Sequence, residues 1–98
     1  MSFVRPNPKR LVELFKILDD LELVGVSELR KDIIAARYEF TRIRGTSART
    51  LILRSDVQEQ LWKWERTLCE ITAHPPDMQR LFGLEVQVRE IRAKFQIK

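Results

Sequence analysis

The chain has one cysteine, one histidine and three glycines in 98 residues, and each scarcity closes off a class of function. A lone cysteine, Cys69, excludes an internal disulfide framework and any cysteine-rich zinc site. Its place inside a helical pattern makes it a small apolar side chain, not a reactive thiol. His74 is the only imidazole, so little material remains for a nucleophile and base pair, and only Asp77 stands near it in sequence as a second metal donor. Gly25, Gly45 and Gly83 lie far apart, which leaves no glycine-rich loop to cradle a phosphate. No apolar run approaches the roughly 20 residues that cross a bilayer, and no charged-then-apolar leader opens the chain. These absences point to a protein with no cofactor and no catalytic constellation, away from the membrane, in a cytoplasmic or otherwise intracellular setting.

What is present is amphipathic helix. From Ser55 to Ile71 the apolar residues Val57, Leu61, Trp64, Leu68 and Ile71 follow at steps of four and three, one stripe of a helix. Ser55 and Gln58 have the spacing of a capping box. Upstream, Asn7-Pro8 reads as an N-cap followed by proline at the first helical position, and Leu11, Leu14, Phe15, Leu18 and Leu21 continue a first helix that stops at Gly25. Ser27 caps a second helix carrying Leu29, Ile33, Ala36, Phe40 and Ile43, which Gly45 ends. Met1 to Pro6 carries no pattern and reads as a flexible start to a single domain spanning residues 1–98.

Thr46 to Arg54 admits two readings. One extends the third helix backwards, since Leu53 precedes Val57 by four. The other makes Thr50 to Leu53 a short strand, because three adjacent apolar residues fit no single helical stripe. The helical reading is taken forward. After Ile71 the prolines Pro75 and Pro76 end the third helix. A fourth helix is expected from about Asp77 to Phe95, with Leu81, Leu84, Val88, Ile91 and Phe95 on its main stripe. The expected fold is therefore all-α, a bundle of about four helices in which the second and third form a long antiparallel hairpin. A helix-turn-helix with TLIL as a wing strand fits less well, because no glycine or proline breaks the run from Ser27 to Ile43.

Two features bear on function. Projected at about 100° per residue, several helices carry a second apolar face: Ile34 and Tyr38 on the second, Trp62 and Cys69 on the third, Phe82 and Val86 on the fourth. One small core cannot easily cover all of these. Ile34, Tyr38, Trp62, Phe82 and Val86 are the expected partner interface of a non-enzymatic protein-protein interaction module, a homo-oligomer with a dimer favoured or a complex with another protein. The second feature is charge. The net +4 is accounted for between Arg37 and Ser55, where Arg37, Arg42, Arg44, Arg49 and Arg54 face Glu39 alone. These five arginines form a candidate surface for an anionic partner such as nucleic acid. The competing explanation is pairing with glutamates of neighbouring helices, for which Glu59, Glu65, Glu70, Glu85 and Glu90 are available.

Overall fold

The computed structural model describes residues 5–75 and 79–98. It contains three helices, α1 (Pro8–Leu23), α2 (Val26–Arg44) and α3 (Ser55–Thr72), and four strands, β1 (Thr50–Leu53), β2 (Arg80–Leu81), β3 (Leu84–Val88) and β4 (Phe95–Ile97). The strands form one mixed sheet in the order β2-β3-β1-β4, with β1 parallel to β3 and antiparallel to β4. The fold is α/β, which corrects the all-α helical bundle expected from periodicity.

The helical expectations hold for α1 and α2 in existence and extent. Asn7 caps α1, its Oδ1 accepting the Arg10 backbone N–H at 2.8 Å, and Pro8 takes the first helical position. Only Gly25 and Val24 separate α1 from α2, and Gly25, at φ +85°, serves as the N-cap of α2 where Ser27 had been expected. Gly45 ends α2 in the left-handed conformation, its N–H donating to the Thr41 carbonyl at 2.9 Å. Ala73 closes α3 in the same way just before the prolines. The Ser55–Gln58 capping box does not form: α3 begins at Ser55 itself, with Arg54 as N-cap and no side-chain bond.

Two expectations fail for one reason. Thr50–Leu53 is strand, not the first turn of α3, and the region read as a fourth helix is β2, β3 and β4. The expected start of that helix at Asp77 lies outside the described residues. In Leu84-Glu-Val-Gln-Val88 and Lys94-Phe-Gln-Ile-Lys98 the apolar residues also alternate at steps of two, so a four-and-three stripe and a strand pattern share several of the same positions. Non-local pairing decides between them. Leu51 pairs with Val86 on one side and Ile97 on the other, and Leu53 with Val88 and Phe95, which gathers the apolar members of three strands on one sheet face. The expected antiparallel hairpin of the second and third helices is also absent, because β1 intervenes and α3 lies principally along α1.

The helices cover that apolar face. Val26, Leu29 and Ile33 of α2, Val57 and Leu61 of α3 and Leu21 of α1 bury against Leu51, Leu53, Leu81 and Leu84 in one cluster, which Trp64, Phe82, Val86, Phe95 and Ile97 flank. Complete burial of a leucine or isoleucine side chain contributes about 1.5–3 kcal/mol, so this layer contact is the main source of stability. Phe15 and Ile43, both placed on main stripes by spacing, are exposed instead: α1 turns Phe15 outward, and the end of α2 runs past the core.

Candidate functional site

The arginines of α2 and the turn after it do not form one free patch. Arg37 donates from Nη1 to the Phe82 carbonyl at 2.5 Å. Arg42 makes two hydrogen bonds to the Glu39 carboxylate one turn earlier, and Arg44 sits 5.4 Å from the Phe40 ring centroid. Arg54 chelates Asp56 through Nε and Nη2 and reaches the Arg92 carbonyl through Nη1. The guanidinium, helped by the backbone N–H groups that open α3, holds the Asp56 carboxyl below the usual carboxylate range. Arg49 lines an open groove of about 740 Å³ beside Arg80, Gly83 and Glu85. Pairing between helices does occur, but through other arginines: Arg30 of α2 binds Glu65 of α3, and Arg10 of α1 binds Glu70 of α3 in a two-bond fork.

Arg30 and Arg37 together hold the turn between β2 and β3. Phe82 and Gly83 are both left-handed, at φ +53° and +75°, the conformation a two-residue hairpin turn requires. Phenylalanine in that region costs about 1 kcal/mol. The ring is held by the core beneath it and by the Arg30 guanidinium 5.2 Å from its centroid, while Arg37 binds its carbonyl. Arg30 lies also 5.7 Å from the centroid of Trp64, whose indole N–H is buried without an acceptor among the described residues.

The expected interface residues are dispersed. Ile34 and Tyr38 stand one turn apart on α2, with Tyr38 74% exposed, and Trp62 is half-buried on α3. Phe82 and Val86 pack against the core. The larger exposed apolar stripe is on α1, where Val12, Phe15 and Leu23 share the side opposite the buried Leu14 and Leu21. Spacing assigned Phe15 to the core and gave no role to Val12 or Leu23.

The sheet face away from the helices is polar. Strand register arranges it in three rows: Arg80, Glu85, Thr50 and Lys98 across the first, Gln87, Ile52 and Gln96 across the second, and Arg89, Arg54 and Lys94 at the positions that continue the ladder beyond the strand ends. The Arg89 N–H donates to the Leu53 carbonyl at 3.0 Å, and the Arg54 N–H to the Lys94 carbonyl at 3.2 Å. Of these cations only Arg54 belonged to the sequence-derived patch. Arg80, Arg89, Lys94 and Lys98 were legible as the polar members of alternating runs, but only if those runs were first taken as strands.

Burial, with a smaller contribution from Glu65, pushes the half-buried Cys69 thiol up, away from the reactive thiolate. His74 is exposed and its Nδ1 lies 2.8 Å from the Thr72 carbonyl. Among the described residues no cluster of three His, Cys, Asp or Glu side chains is placed to hold a metal ion, and no helix is long and apolar enough to cross a membrane. No protein family, curated protein or solved structure matches the chain.

Proposed function

We propose that this protein is a non-enzymatic association module that pairs with a second copy of itself through the outer side of α1. The observation that carries the reading is the exposed stripe of Val12 (70%), Phe15 (53%) and Leu23 (86%). Isolated exposed apolar residues are ordinary, but three large ones on one helical side form a surface whose burial is favourable. Charge on the same side, with Lys16 and Asp19 standing between the apolar residues, selects the occupant. Exposed Lys9 and Lys16 lie in the first half of α1, and exposed Asp19, Asp20 and Glu22 in the second. A helix basic at one end and acidic at the other is self-complementary when two copies meet antiparallel about a two-fold axis, which sets each lysine pair against the partner's carboxylates.

The test is molar mass by light scattering between about 1 and 100 µM, the range over which a modest interface dissociates. The expected result is a monomer–dimer equilibrium that Leu23→Glu shifts fully to monomer. Lys16→Glu alone weakens the dimer by placing like charges together, and Lys16→Glu with Asp19→Lys restores it. A wild-type mass that stays monomeric throughout, or a charge swap that fails to restore what the single change removed, overturns the reading.

A further inference from the structure

The sheet face opposite the helices carries five cations, Arg54, Arg80, Arg89, Lys94 and Lys98, against two carboxylates, Glu85 in the first row and Asp56 bound to Arg54. Its third row sets Arg89, Arg54 and Lys94 at the positions just past the ends of β3, β1 and β4, where backbone hydrogen bonds continue the ladder and neighbouring positions stand about 4.8 Å apart. Like charges opposite one another on a sheet destabilise it, and while Arg54 is tied to Asp56 and to the Arg92 carbonyl, Arg89 and Lys94 beside it have no such structural partner. Glu90 adds only long-range attraction to Arg54. Arg89, Lys94 and Lys98 are exposed, and their side chains make no hydrogen bond or ion pair with the described residues.

We infer that this open sheet face binds the sugar-phosphate backbone of nucleic acid without regard to sequence. The donor set fits: arginine and lysine, with Thr50, Gln87 and Gln96 between them, are the side chains that contact phosphate and sugar. The two cationic rows stand four residues apart along the strands, about 13 Å, so several phosphates are engaged together. No aromatic side chain stands in the three rows, and the one apolar residue, Ile52, is buried among its neighbours. Stacked bases and inserted acyl chains therefore have no platform there. This surface lies across the sheet from the helical layer and is independent of the proposed pairing through α1.

The test is anisotropy of a fluorescein-labelled mixed-sequence DNA duplex and a labelled single-stranded RNA, titrated with the full chain from about 50 to 200 mM salt. With about four phosphates engaged, affinity should fall about a hundredfold over that range. Arg89→Ala with Lys94→Ala should weaken binding tenfold or more at the lowest salt and flatten the log–log slope by about 2. Lys31→Ala with Lys63→Ala, on the helical side, should leave affinity within about twofold. Glu85→Gln, which removes a carboxylate from the face without touching the core, should tighten binding about twofold to threefold. The proposal is overturned by wild type that fails to bind at 50 mM salt, by equal losses in the sheet and helix variants, or by an unchanged Glu85→Gln. Phosphatidylserine vesicles that bind while both nucleic acids do not would reassign the face to a lipid surface and overturn it as well.

Discussion

At the scale of single residues Arg30 shows how a charge beside the apolar stripe of α2 becomes a structural part. It pairs with Glu65, lies over Trp64 and Phe82, and keeps about a quarter of its side chain exposed. Arg37 and Arg44, at steps of seven from it, meet a carbonyl and a ring respectively. The even spacing thus put all three beside the apolar stripe of α2, while the partner each met depended on which elements the fold brought there. Arg30→Ala should cost about 1–3 kcal/mol, since it removes two ring contacts and leaves Glu65 half-buried without its cation. Arg30→Lys keeps the charge but loses the planar guanidinium, and should recover less than half of that cost. Urea titration of both variants, with Glu65→Gln as the second arm of a double-mutant cycle, measures it; an additive cycle would mean that the pair contributes nothing.

At the scale of elements the boundary between legible and illegible follows the range of the interactions. Asn7-Pro8, Gly45 and the residues before Pro75 punctuate helices through their own backbone preferences, and the structure ends or begins helices there. Thr50–Leu53 has only an ambiguous local signal, three adjacent apolar residues: it becomes a strand because Val86 and Ile97, dozens of residues away, flank Leu51. The candidate surfaces divide in the same way. Ile34 and Tyr38 could be placed on the outer side of α2 by counting, whereas Arg80, Arg89 and Lys94 share a face only through strand register. The Phe82-Gly83 turn is the local feature that commits residues 80–88 to a hairpin. Gly83→Ala should therefore destabilise the protein by about 1 kcal/mol through its positive φ. The new Cβ would meet only the end of the Arg37 side chain, at 3.3 Å, which can move aside. Thermal denaturation monitored by circular dichroism reads the difference, and a Tm equal to wild type would show that the turn conformation carries little of the stability.

For the molecule as a whole, burial separates what holds one chain together from what a second chain can add. Leu53 is completely buried in the central strand, in contact with the layer that α2 and α3 form, while Leu23 at the end of α1 is 86% exposed. Leu53→Ala opens a cavity at the centre and should cost about 2–5 kcal/mol, a large share of the 5–15 kcal/mol that a domain of this size has. That loss belongs to the monomer and should be the same at every protein concentration. Leu23→Ala removes almost no intramolecular contact, so in a dilute sample it should change stability by less than about 0.5 kcal/mol. If two copies pair through α1, wild-type stability rises with concentration because association favours the folded state by mass action, and Leu23→Ala should lose that rise while retaining the dilute value. Urea titrations at two protein concentrations about a hundredfold apart distinguish the two effects. A wild-type midpoint that does not move with concentration would assign the exposed stripe to solvent and leave the sheet and its helical layer to account for the whole of the stability.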